Sequence, residues 1–176
     1  ERGQHPVEVI LDSVVKNENQ MFIQPLVNEK PAHVLGILQH PRTLATFSDS
    51  GAHVCQEMGS SLQTHMLNYW VRQKRAFTLE KAVKMLTLDN ALAWDIVGRG
   101  LIRENYAADL VLFEEGQIRP QIPKVHHDLP GGAPRLVQKS EGIAYTVVNG
   151  QVTLEHGSVT GKHSGQVVKG RLASTH

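Results

Sequence analysis

Leu44-Ala45-Thr46-Phe47-Ser48-Asp49-Ser50-Gly51-Ala52-His53 is the stretch whose reading decides the fold. Residues that favour or tolerate a buried strand, Leu44 to Ser48, run straight into a carboxylate, a hydroxyl, a glycine and a histidine. In an α/β chain, catalytic groups sit where parallel strands end and loops begin, because the scaffold holds them there while leaving them open to a ligand. Asp49 stands at such a place. A carboxylate at a strand end can bind a metal ion or take a proton from a metal-bound water. The plainer alternative is that Asp49 closes the turn or caps the next helix. Spacing alone favours the plainer alternative.

Working outward, Pro6 suits a first helical position, and Val7, Ile10, Leu11 and Val14 follow at helical spacing. That predicts an amphipathic helix ending around Lys16 to Asn19. Met21-Phe22-Ile23-Gln24 reads as a short buried strand. Pro31 opens a second helix through Val34, Leu35 and Leu38 that stops before Pro41. Helix, strand, helix, strand is the rhythm of a parallel sheet with crossover helices.

Beyond Asp49, a loop leads to a helix from about Ser61 to Gln73 with Leu62, Met66, Tyr69 and Trp70 as its buried face. Thr78 is placed to cap a helix through Leu79, Ala82, Val83 and Leu86. Asp89 can cap a further short one with Ala91, Leu92 and Ile96 on its apolar side, ended by Gly98 and Gly100. The period then changes from 3.6 to 2. Ala108 to Phe113 and Gly142 to Val148 read as strands, the second with Ile143, Tyr145 and Val147 on one face. Asn149-Gly150 signals a tight hairpin returning through Val152 and Leu154. Gln166-Val167-Val168 is a candidate edge strand, and the Pro- and Gly-rich stretch 117–138 reads as loop. A boundary near residue 97 separates an α/β part, 1–97, from an all-β part, 98–176.

With 176 residues the chain is long enough for one ordinary domain with a real core. Its 18 Lys and Arg against 17 Asp and Glu form no basic stripe interleaved with aromatics, so no nucleic-acid partner is expected. No apolar run approaches the roughly 18 residues of a membrane span, and no signal peptide opens the chain. The one cysteine, Cys55, excludes an intrachain disulfide and fits a reducing, cytoplasmic compartment. Residue 1 is Glu rather than Met, as in a processed or excised piece of something longer.

Several collinear stretches together carry a family resemblance. They are His5-Pro6-Val7, Phe47 to His53, Thr64-His65-Met66-Leu67-Asn68-Tyr69-Trp70-Val71, Leu79-Glu80-Lys81-Ala82-Val83, Gly98-Arg99-Gly100, Ala107 to Phe113, His127-Asp128-Leu129-Pro130 and Val147-Val148-Asn149-Gly150. The chain resembles the C-terminal portion of a metal-dependent amidohydrolase of the D-aminoacylase, or N-acyl-D-amino-acid deacylase, type. The resemblance implies an α/β fold: the last two strands and helices of a TIM-like (β/α)8 barrel, followed by the C-terminal part of a small composite β-sandwich domain. It implies hydrolysis of a non-peptide C–N amide bond in an N-acylated amino acid, with zinc as the cofactor of the complete enzyme. It gives Asp49 the place of the aspartate that ends the eighth barrel strand beside the metal and handles the proton of the attacking water. That reverses the odds for Asp49 in favour of a catalytic role.

Much of the family's site has no counterpart here. No two histidines have a single residue between them, and no arginine follows Asp49 before Thr64 to take a substrate carboxylate. Asp49 is expected to ligate metal only with ligands from outside this chain, and no metal is expected to bind this chain tightly by itself. His53 and His65 are candidate substrate contacts, against the plainer readings of a loop histidine and a packed helix residue. His53 and Cys55 are too few for a structural zinc, and His126-His127-Asp128 reads as a turn. Asp109 reads as structural, and Arg72, Lys74 and Arg75 as solvated surface. The expected partners are a small N-acylated amino acid and either an N-terminal portion or a second copy. The alternative class is a non-catalytic binding or assembly module built on the same fold, and a self-sufficient metalloprotein comes third.

Overall fold

In the computed structural model, residues 3–17, 20, 22, 28–53 and 59–170 are described. The chain forms two compact units, Glu1–Gln39 and His40–His176. The first contains α1, Pro6–Lys16, and α2, Pro31–Gln39. Pro6 starts α1 because a first-turn residue needs no N–H partner, and His5 Nδ1 accepts the Val7 N–H at 3.3 Å. The apolar face of α1 is as the spacing predicts, yet it stays uncovered. Val7 is 53% exposed, Leu11 59% and Val15 84%. The strand expected at 21–24 lies outside the described residues apart from Phe22, which joins no regular element.

In the second unit, residues 43–49 carry no regular structure, and the strand expected there falls later, at β1, Ser50–His53. An apolar run becomes a strand only when a neighbouring strand takes its hydrogen bonds. Here the Ala45 carbonyl is bonded by a side chain instead. Every strand pair among the described residues is antiparallel.

The helical half of this unit begins at α3, Leu62–His65, which passes directly into a π-helical stretch, Met66–Gln73. The wider π turn places Met66 and Leu67 above Trp70 and Val71 and buries all four. Leu67 and Val71 thus join the inner face, while Tyr69 moves to its margin. α4, Leu79–Leu86, starts where expected, with Thr78 Oγ1 accepting the Lys81 N–H at 3.2 Å. α5, Leu88–Ala93, starts from Thr87, so Asp89 sits in its first turn, paired with Lys84, rather than at its cap.

The β half contains β2, Leu110–Phe113, β3, Arg119–Pro120, β4, Lys124–His126, β5, Arg135–Val137, β6, Ser140–Glu141, β7, Ile143–Val148, β8, Gln151–Glu155, and β9, Ser158–Val159. The main sheet has the order β2-β7-β8-β9. Asn149 and Gly150 turn the β7–β8 hairpin with φ of 48° and 78°, the two positive values a tight primed turn requires. His156-Gly157 makes a second such turn, so the edge strand is β9, and 166–168 form no strand. β7 is half-buried at all six positions, so the expected alternation does not become an inside and an outside. Stretch 117–138 is not plain loop either, since β3 pairs with β6 and β4 with β5. Ile118, 2% exposed, is the largest fully buried side chain among the described residues, and its carbonyl accepts from Arg72 Nη1 at 3.0 Å. No helix among the described residues is long and apolar enough to cross a membrane.

Candidate active site

Asp49 ends the irregular segment 43–49, and two contacts fix that segment. Four residues before Asp49, the Ala45 carbonyl accepts from Asn90 Nδ2 of α5 at 2.8 Å. One residue before it, Ser48 lies against Gly59 so closely that a Cβ at 59 would stand 2.9 Å from the Ser48 Cβ. The Asp49 carbonyl accepts the Ala52 N–H at 2.9 Å, with Gly51 at φ 95° inside that turn. The turn is therefore closed by backbone, and the carboxylate is exposed. Among the described residues it enters no hydrogen bond or ion pair.

His53 is exposed at the end of β1 with φ 46°, a left-handed value rare outside glycine. His65 is the last residue of α3, on the helix that follows Gly59, and the Leu62 N–H bonds the Gly59 carbonyl at 3.2 Å. The Ser48–Gly59 contact thus brings the chain carrying Asp49 to the foot of the helix carrying His65. The His65 ring stacks on Tyr69 with centroids 5.0 Å apart. Partial burial of the ring lowers its pKa, although the residue as a whole is exposed. Among the described residues no hydrogen bond joins Asp49, His53 and His65 to one another. Cys55 lies outside the described residues.

No group of three or more His, Cys, Asp or Glu side chains converges among the described residues. Catalytic zinc takes three protein ligands, so the described part of this chain does not by itself fit the ion. An open cleft of about 1310 Å³ lies elsewhere in this unit, walled by Ser61, Thr64, Lys139, Glu141 and His156 among others. None of Asp49, His53 and His65 stands in its wall.

Asp109 is structural. It pairs with Arg99 Nη1 and accepts the Asn149 N–H at 2.8 Å, while Arg99 Nη2 donates to Asn149 Oδ1 at 2.7 Å. Asn149 Nδ2 continues to the Ser164 carbonyl at 2.6 Å. Partial burial works to raise the Asp109 pKa, but the Asn149 N–H and the Arg99 guanidinium prevail and hold it low. Asp128 is engaged by Arg135 through bonds of 2.6 and 2.7 Å, and His126 ends β4 rather than lying in a turn. The residue that sequence reading missed is Asn90. Its link to Ala45 spans 45 positions and leaves no local pattern.

The amidohydrolase family profile matches residues 9–154, most of the chain, with Asp49, His53, His65 and Asn90 inside the matched range. The chain belongs to the amidohydrolase family. An uncharacterized protein of Mycobacterium tuberculosis is 28% identical over 172 residues, covering 92% of this chain and 28% of its own length. N-acyl-D-aspartate deacylase of Alcaligenes xylosoxydans xylosoxydans is 30% identical over 129 residues, covering 73% of this chain and 21% of its own. D-aminoacylase of the same organism is 26% identical over 129 residues, covering 73% and 22%. A crystal structure of D-aminoacylase aligns at 29% identity and a TM-score of 0.47, over 60% of this chain and 20% of that one. A further structure aligned to the same extent concerns the binuclear metal centre of D-aminoacylase. This amidohydrolase chain thus spans between about a fifth and under a third of these relatives.

Proposed function

We propose that the chain is the C-terminal part of a metal-dependent amidohydrolase that cleaves a non-peptide C–N amide bond in N-acyl-D-amino acids or similar substrates. The observation that carries this is the family match across 9–154, which contains Asp49 on an anchored segment with its carboxylate open. The likeness to proteins named N-acyl-D-aspartate deacylase and D-aminoacylase supports the substrate class. In this reading Asp49 accepts the proton of the attacking water and returns it to the departing nitrogen, so that the amine leaves neutral. His65 and His53 are the candidate substrate contacts. Residues 1–97 belong to the hydrolase barrel and 98–176 to the composite β-domain. The metal of the complete enzyme is zinc, with its remaining ligands supplied from outside this chain.

The test is release of free amine by the complete enzyme from paired N-acetyl-D- and N-acetyl-L-amino acids. Hydrolysis of the D series, lost on chelation and restored by zinc, is the expected outcome. A folded, zinc-loaded preparation that releases no amine from any member overturns the proposal and favours a binding or assembly module.

A further inference from the structure

We infer that Asn90 is a positioning residue for Asp49, holding the segment that ends in the catalytic carboxylate from the side of α5. The inference rests on the proposed catalytic reading of Asp49. Asn90 Nδ2 donates to the Ala45 carbonyl at 2.8 Å and, more weakly, toward the Leu86 carbonyl of α4 at 3.4 Å. Both neighbours are acceptors only, so the NH2 end of the amide must face them and the orientation is fixed by chemistry. Asn90 Oδ1 is left buried without a hydrogen-bond partner among the described residues. An orphaned acceptor of this kind is destabilising, and an apolar side chain at 90 would avoid it. What the amide supplies in return is the donor to Ala45.

That donor matters because residues 43–49 form no ladder of their own among the described residues. Ala45 is 7% exposed, so its carbonyl has little access to water as a substitute partner. With Asn90 holding position 45 and Gly59 against position 48, the backbone leading to Asp49 is pinned twice within four residues. Removing the first pin lets the carboxylate drift. A proton acceptor displaced by a fraction of an ångström loses rate while substrate affinity is little changed.

The complete enzyme is assayed on N-acetyl-D-amino acids as Asp49→Asn, Asn90→Ala, the double variant and Leu92→Ala, an exposed change on the same helix. Ala keeps the helix propensity of α5, so the comparison isolates the amide. Asn90→Ala should lower kcat on the order of tenfold with KM within about twofold, and Leu92→Ala should leave both unchanged. In the Asp49→Asn background Asn90→Ala should add nothing, because it acts only through that carboxylate. An unchanged kcat, or a full further loss in the double variant, overturns the positioning role. Normal turnover of Asp49→Asn would instead overturn the reading of Asp49 itself. If Asn90→Ala does not fold, Asn90→Asp decides. Its protonated carboxyl can donate to Ala45 where the carboxylate cannot, so its kcat relative to wild type at equal pH should climb as pH falls. A flat ratio overturns the inference.

Discussion

Gly142 shows how much of this protein is fixed by single atoms. Its φ is 83°, and a Cβ there would meet Ile118 N at 2.6 Å and Ile118 Cα at 2.7 Å. Those are backbone atoms of a residue whose large side chain is itself fully buried, so neither can swing aside. Gly142→Ala should cost about 2–5 kcal/mol from the left-handed backbone and the overlap together. Gly116→Ala, in open space, should be nearly neutral. Equal urea midpoints for the two variants would contradict this. At Asp109 the folded pKa lies below its unfolded value, so the ionised carboxylate stabilises the fold above the ordinary carboxylate pKa near 4. That contribution fades as pH falls through the lower folded value. Asp109→Asn should therefore cost about 1–2 kcal/mol at pH 7, and its deficit against wild type should shrink toward pH 3. A deficit that stays constant from pH 7 to 3 would exclude the linkage.

At the scale of elements, what the sequence made legible was local. Pro6 and Pro31 at helix starts, Thr78 at a cap and Asn149-Gly150 at a turn each act through residues within four positions, and each is found in its place. Thr78→Ala should lower stability by about 1 kcal/mol, since the Lys81 N–H loses its acceptor. An unchanged thermal midpoint would show that water replaces that bond without loss. What could not be read were features decided by distant partners. Leu44 to Ser48 has strand composition, but Asn90 takes its backbone instead. The π turn that buries Leu67 and Val71 defeats a 3.6-residue period, and His156-Gly157 turns tightly without the asparagine that marked the first hairpin. At the candidate site the same limit holds. Asp49 stood out by its neighbours in sequence, whereas its support from Asn90 and Gly59 exists only in three dimensions.

At the scale of the whole molecule, the apolar surfaces call for a partner. Val7, Ile10, Leu11 and Val14 form the inner face of α1 by spacing, yet they are 53, 47, 59 and 41% exposed. On the segment leading to Asp49, Phe47 is 74% exposed. Burying a side chain of this size is worth about 1.5–3 kcal/mol, so a row of them left in water drives association. This 176-residue polypeptide in isolation should accordingly self-associate at micromolar concentration, through residues 1–50 rather than through the Asn149-Gly150 hairpin. Replacing Val7 and Leu11 by Lys and Gln should weaken that association while leaving the 40–170 unit cooperative in its unfolding. Light scattering over a concentration series reads the first effect, and far-ultraviolet dichroism on heating reads the second. A compact monomer at every concentration, unfolding in a single cooperative step, would mean that these faces are covered from within the chain and need no second surface.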